Sequence, residues 1–335
     1  MPITERENLL RLFNGELPDW VPIMEDAVTM AMPTPIGSWG FGDFKVGDVI
    51  PDTLGVPHVV SDPLVGPMPI PGEPYVPDIT RWREFIELPL PDPDSMDWSL
   101  DIQLETELDR VNKVVQSYTG GTMAGSPFNV MVKYLSHEGA LTALLAEPEA
   151  WHDMLSVFID WEVKVVKKTI SIYHPDIMMN ADDLSFVHAP FMALETWREM
   201  IKPYQKRLFD AISEEGVIVL VHCCGKGEQF VDDWYEMGAR CWDPAQNMND
   251  LEAIKARYNN RFVICGGFDS QGKTNKRGTP EAEVRANVRA QIDRLAPGGG
   301  FIFSTSMMAL PHDIGEEHYN WIYDEARTYG RDFYR

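Results

Sequence analysis

The chain has 335 residues, enough for one large α/β barrel or two ordinary domains with a sizeable buried core. Its 52 acidic residues against 29 basic ones give a formal net charge of -23, so the long-range field disfavours nucleic acid and other polyanions as partners. No stretch reaches the roughly 18 uninterrupted apolar residues of a membrane span, and the first residues lack a basic segment followed by an apolar one. The sequence therefore predicts no membrane insertion and no export signal.

The cysteines are Cys223, Cys224, Cys241 and Cys265, all in the second half and mostly at strand-like positions. That distribution is unlike a disulfide framework and fits a reducing, cytoplasmic setting. Thr4 with Glu7 three residues on forms a capping box, and Leu9, Leu10, Leu12 and Phe13 give the following helix an apolar stripe that Gly15 stops. Trp20 to Met24 reads as the first strand, with Glu25 and Asp26 where it ends. Residues 31 to 98 are rich in Pro and Gly and read as an irregular covering segment, with His58 to Asp62 as the second strand and Trp82 to Glu87 as a short helix. Leu100 to Gln116 is expected as a helix, Ser117 to Gly121 as a strand with a tight exit, and Pro127 to Tyr173 as helices broken near Pro148.

From there the alternation is regular. Strands are expected at 177–183, 217–224, 240–243, 262–269 and 300–306, with helices at 196–215, 228–237, 250–258, 280–295 and 315–329. Pro297 to Gly300 precedes a strand, the wrong side for a phosphate cradle, and reads as a tight turn. Counted through, the pattern gives eight strands with helices between the later ones. It predicts a single closed (β/α)8 TIM barrel over residues 1–335 rather than an open sheet.

In such a barrel the C-terminal strand ends converge on one site. Val217 to Val221 is a short apolar, β-branched run that reads as a strand buried on both faces. If the extended conformation persists, His222 and Cys224 point to one side and Cys223 to the other. An imidazole and a thiolate side by side suit a soft divalent cation, zinc first. The same spacing also serves a free cysteine packed as a small hydrophobe. The other polar residues brought to the mouth are Glu25, Asp26, Asp62, Asp182, Asp183, Asp243, Gln246, Asp269, Gln271, Ser304, Ser306 and Met307. Asp182 and Asp183 end an apolar strand beside the one carrying His222, so at least one of these carboxylates is expected to face inward. Cys241 begins its strand and reads as packing; Cys265 precedes Gly266 and Gly267, where close backbone approach explains the sequence as well as ligation does. Walker, nucleophile-elbow, His-Glu-x-x-His and dinucleotide-binding motifs are absent.

Taken together, Ala181-Asp-Asp-Leu, Glu199-Met-Ile-Lys-Pro-Tyr, Val221-His-Cys-Cys-Gly, Asp243-Pro-Ala-Gln, Gly266-Gly-Phe-Asp-Ser-Gln and Ala296-Pro-Gly-Gly-Gly-Phe-Ile-Phe followed by Leu310-Pro resemble the uroporphyrinogen decarboxylase superfamily over nearly the whole chain. The resemblance implies the (β/α)8 barrel. Of its branches, the decarboxylases bind a highly carboxylated tetrapyrrole with an arginine-bearing segment after the first strand. Here that segment carries Glu25 and Asp26 and no arginine, so several carboxylates would meet like charge. The corrinoid-linked methyltransferases resemble this chain in carrying His-x-Cys on the fifth strand as zinc ligands.

That branch implies zinc on His222 and Cys224, a cobalamin carried by a corrinoid partner protein docking at the barrel mouth, and a small methylated substrate. Coenzyme M methyltransferases take a third, cysteine ligand from the eighth strand, where this chain reads Ser304-Thr-Ser-Met-Met-Ala. Either one of Glu25, Asp183, Cys265 or Met307 completes the site or the metal is weakly held or absent, and the loss argues against a thiol acceptor. O-demethylase methyltransferases act on aryl methyl ethers, for which Trp39, Phe41, Phe44, Phe186 and Phe191 offer walls or serve as core. The expected activity is transfer of a methyl group from such an ether to cob(I)alamin, with Asp183 or Glu25 as ligand or proton donor. Uroporphyrinogen decarboxylation and a non-catalytic corrinoid or metal carrier are the alternatives.

Overall fold

The computed structural model describes residues 3–36, 44–62, 66–72, 74–120, 125–270, 272–305 and 314–335. In chain order the elements are α1 (Glu5–Phe13), α2 (Met24–Ala27), β1 (Val28–Ala31), β2 (Val49–Pro51), β3 (Pro57–Asp62), β4 (Gly66–Pro69), α3 (Ser99–Glu105) and β5 (Val114–Tyr118). Next come α4 (Pro127–Ala146), α5 (Pro148–Tyr173), β6 (Ile177–Ala181), α6 (Leu194–Met200), α7 (Lys202–Glu214), β7 (Ile218–His222), α8 (Val231–Met237) and β8 (Ala239–Ala245). The chain closes with α9 (Leu251–Arg257), β9 (Val263–Gly267), α10 (Glu281–Leu295), β10 (Phe301–Ser304) and α11 (Glu316–Arg331). No helix among the described residues is long and apolar enough to cross a membrane.

Seven strands form one sheet in the order β1-β5-β6-β7-β8-β9-β10, and every pairing in it is parallel. The circle is completed by Ile23, which bridges in parallel to Phe303, and by the Phe303 N–H donating to the Pro22 carbonyl at 2.9 Å. This is a (β/α)8-type barrel. Alternation along the strands sorts the side chains. Val114, Ile177, Met179, Leu220, Cys241 and Val263 fill the interior, while Met178, Val219, Val221, Trp242 and Ile264 face the helices. A strand covered on both faces can be apolar at successive positions, and this is why the runs near 177, 218 and 263 were visible in the sequence.

The first quarter of the barrel departs from the expectation. His58 to Asp62 lies in β3, the centre of an antiparallel sheet β2-β3-β4 outside the barrel, so it is not the second barrel strand. The barrel strand that pairs with β5 on that side is β1. Trp20 to Met24 contributes only the Ile23 bridge, and Glu25 and Asp26 lie in the single turn of α2, after which β1 pairs with β5. The helix expected over Leu100 to Gln116 stops at Glu105, and Val114 and Val115 already belong to β5. The break near Pro148 is present: α4 ends at Ala146 and α5 starts at Pro148. Trp82 falls in a 3-10 turn, Ile79–Glu84. Gly298, Gly299 and Gly300 all take positive φ in the turn before β10.

Glu162 of α5 is buried beneath the chain crossing at Gly120 and Gly125, where a Cβ at Gly125 would lie 2.6 Å from Glu162 Oε1. Burial raises the Glu162 carboxyl to about 8, against the lowering effects of Lys133 and the Gly120 backbone. A folded-state value above the unfolded 4.5 means that the stability this group contributes is complete below 4.5 and is lost as pH rises through about 8. Each unit of separation is worth about 1.4 kcal/mol. Glu162→Gln should therefore show a flatter profile of urea midpoint against pH across that window, gaining on the wild type at the alkaline end. Parallel profiles would contradict the assignment.

Candidate active site at the barrel mouth

Three neighbouring strands deliver the polar cluster. In register, Ala181 of β6 lies beside His222 of β7, and His222 beside Asp243 of β8. The ladder runs one step further, with the Asp182 N–H donating to the His222 carbonyl at 2.9 Å and the Cys223 N–H to the Asp243 carbonyl at 3.1 Å. Extended geometry therefore continues past the strand ends, and each residue reverses its side chain. Cys223 is fully buried in the layer between strand and helices, with Sγ 3.5 Å from the Leu184 N–H, and the Trp242 indole donates to its carbonyl at 2.9 Å. Asp182 is also fully buried. Its carboxylate accepts the N–H groups of Phe128 and Asn129, each at 3.0 Å, at the first turn of α4. Such a placement uses both the orphan donors and the positive end of the helix dipole.

The opposite parity brings Asp183, His222 and Cys224 together, with one potential ligand atom from each lying within 4.8 Å of the others. Cys224 Sγ is 3.6 Å from His222 Nε2. Asp183 is held by the Cys224 backbone N–H, which donates to its Oδ1 at 2.9 Å. The other imidazole nitrogen, Nδ1, is 3.4 Å from Asp243 Oδ2. A carboxylate on the far nitrogen of a ligating histidine fixes the ring and its tautomer. Burial alone would depress the His222 imidazole, but hydrogen bonds to Asp243 and Cys224, and their charges, raise it to about 10.

Other residues assigned to the mouth have separate partners. Glu25 is brought to the barrel rim but belongs to a separate network: Ser304 Oγ donates to its Oε1 at 3.0 Å, Tyr323 OH donates to the same oxygen, and Oε2 is buried with no hydrogen-bond partner among the described residues. Burial raises its carboxyl above the ordinary value, against its hydrogen bonds to Tyr323, its own backbone and Ser304, with a further upward push from Asp243. Asp26 is engaged by Arg327 at 2.8 and 2.7 Å. Cys265 lies in the inner core with Sγ 3.9 Å from Met24 Sδ, and its thiol is raised well above the usual range by burial and then by nearby Asp243, Cys241 and Glu25. It is absent from the ligand cluster found among the described residues. Gln246 accepts the Gly225 N–H at 2.6 Å, locking the turn after β7.

Phe186 is 46% exposed and stacks on half-buried Phe191, with ring centroids 5.9 Å apart. Their loop packs on the turn after β7, where a Cβ on Gly225 would meet the Phe186 carbonyl oxygen at 2.6 Å. Phe44 is half-buried. Trp39, Phe41, Gln271, Ser306 and Met307, like the side chain of Asp62, lie outside the described residues. Two contributors had no assigned role in the sequence. Asp243 was visible only as a strand-end acid, and Tyr323 only as an aromatic on the closing helix.

Residues 68–329 match the family model described as uroporphyrinogen decarboxylase (URO-D). Among solved structures, a methyltransferase from Methanosarcina mazei superposes with a TM-score of 0.66 at 12% sequence identity, covering 100% of both chains. At that identity the likeness speaks to the fold. No curated protein sequence matches the chain.

The two adjacent aspartates should separate cleanly on substitution. Asp182→Ala leaves two buried N–H groups without an acceptor and should lower unfolding stability by about 1–3 kcal/mol, whereas Asp183→Ala should shift it by less than about 1 kcal/mol. Urea denaturation of both variants checks this. Equal losses would contradict the opposite facing of the two side chains.

Proposed function

The chain belongs to the uroporphyrinogen decarboxylase family, and from that premise we propose that it is a methyltransferase. It demethylates a small methylated compound, best an aryl methyl ether, and passes the methyl group to cob(I)alamin on a separate corrinoid protein that docks at the barrel mouth. The observation that carries this reading is the convergence of Asp183, His222 and Cys224 at the strand ends. The solved methyltransferase of the same fold supports the reaction class. The segment after Ile23 supports the choice against decarboxylation of a polycarboxylate. It presents Glu25 and Asp26, and Arg327, which reaches it from α11, is paired with Asp26.

The donor set fits zinc. One nitrogen, one sulfur and one carboxylate oxygen leave a fourth position open, as in catalytic rather than closed structural sites. The 3.6 Å between Cys224 Sγ and His222 Nε2 suits two ligands of one small ion. When bound there, zinc supplies a Lewis acid for the ether or phenolate oxygen. With one thiolate rather than two, the harder shell favours an oxygen leaving group over a thiol. Asp243 orients the imidazole. Glu25, whose carboxyl burial raises above its ordinary value, can give a proton to the departing oxygen. Phe186 and Phe191 offer an aromatic ring a wall at the rim.

Protein stripped by chelation and titrated with zinc should take up at most one ion per chain, and both Cys224→Ser and Asp183→Asn should weaken uptake. Offered cob(I)alamin and a panel of methoxyarenes, methylamines and methanol, the wild type should form methylcobalamin from a methoxyarene. Loss of a residue that orients a ligand costs about 10–100-fold, so Asp243→Asn should fall in that range. His222→Ala should lose more while keeping its circular dichroism. Full turnover in demonstrably zinc-free protein would contradict the metal assignment, and coproporphyrinogen formed from uroporphyrinogen would contradict the reaction class.

A further inference from the structure

We propose that Tyr323 is a positioning residue which, together with Ser304, fixes the Glu25 carboxyl so that its acidic proton resides on Oε2, ready for the leaving oxygen. The role in turnover rests on the methyl-ether reading above; the placement of the proton does not. Oε1 accepts from two hydroxyls at once, Ser304 Oγ and Tyr323 OH, which is the bonding of a carbonyl oxygen. The O–H of the neutral acid then falls to Oε2, which is buried and has no hydrogen-bond partner among the described residues. Tyr323 OH also lies 2.8 Å from Thr305 Oγ1. Since Tyr323 donates to Glu25, Thr305 donates to Tyr323, and the chain of hydroxyls runs one way. Burial raises the carboxyl above its ordinary value, and an anion with one oxygen buried and unbonded would be costly.

The tyrosine is itself held. Its ring meets Phe303 edge-on at 6.3 Å, lies 4.7 Å from the Tyr319 ring, and sits beneath the Arg327 guanidinium at 5.7 Å. Arg327, four residues on along α11, grips Asp26 with two hydrogen bonds. One face of α11 thus takes hold of two consecutive acids on the same turn, pairing one as an ion and orienting the other as a donor. In the reaction the methyl–oxygen bond breaks with its electron pair left on oxygen, and the carbon bonds to cobalt with the two electrons that cob(I)alamin supplies. The proton of Glu25 goes to that oxygen, and the carboxylate left behind is reprotonated from solvent.

Tyr323→Phe keeps the ring and removes one donor. In infrared spectra of 13C-glutamate-labelled protein, the carbonyl band of the neutral acid that disappears in Glu25→Gln should move to higher frequency in Tyr323→Phe and in Ser304→Ala. With a series of methoxyarenes of rising phenol pKa, kcat of Tyr323→Phe should fall about 10–100-fold for the poorest leaving group and hardly at all for the best, with KM unchanged. An unmoved band overturns the proposal whatever the substrate is. A uniform loss of kcat across the series, alongside a lowered melting temperature, overturns it in favour of a purely structural tyrosine. A moved band in an enzyme whose wild type demethylates no ether overturns the methyl-ether reading and leaves the proton placement standing.

Discussion

Reversal of successive side chains along the end of β7 is the constraint on which the site depends. Cys223 is locked outward: it is fully buried, its sulfur lies against Leu184 and Ser185, and its carbonyl takes the Trp242 indole. His222 and Cys224 must then face the barrel together. A one-residue slip would carry both into the apolar outer layer and expose the thiol of Cys223 to the mouth, so burial enforces the register more strongly than any local preference. The same alternation on the neighbouring strand divides Asp182 from Asp183. One anchors the first turn of α4 and the other, tied to the Cys224 backbone, completes the cluster.

Closure of the barrel supplies the second half of the machinery. The first segment contributes a single bridging residue, Ile23, before it turns through α2, so little ladder bonding holds Glu25 in place. Side chains from α11 and β10 do that work instead. Tyr323, Arg327 and Ser304 reach the α2 turn from elements more than 275 residues away in sequence. Burial disfavours the charge of an acid placed this way, and the hydroxyls satisfy only one of its oxygens. The neighbouring carboxylates Asp183 and Asp243 are engaged by a backbone N–H and by an imidazole, partners of a different kind. Acids a few positions from a strand end thus take different tasks from their surroundings.

Much of this was legible in the sequence because doubly covered parallel strands show as apolar, β-branched runs, and those near 177, 218 and 263 carry the mouth residues just beyond them. The opposition of Cys223 to its neighbours followed from strand periodicity alone. The beginning of the barrel was not legible. His58 to Asp62 has the composition of a strand, but composition does not distinguish an antiparallel ribbon from a barrel member, and Val28 to Ala31 is only four residues long behind a one-turn helix. Val114 and Val115 were absorbed into an apparent helix because a short strand following a helix lacks a period of its own. Which of Asp182 and Asp183 faces inward depends on where the strand ends, and the roles of Asp243 and Tyr323 exist only once distant elements meet.

The central claim is that one sulfur, one imidazole nitrogen and one carboxylate oxygen of this chain form a single open metal centre. X-ray absorption at the zinc edge of the zinc-loaded protein tests it most directly. The account predicts a shell with one sulfur at about 2.3 Å and nitrogen or oxygen neighbours near 2.0–2.1 Å, with imidazole scattering that disappears in His222→Ala. A shell holding two or more sulfurs, which would bring in Cys265 or a second chain, would contradict it, as would a shell with no sulfur at all.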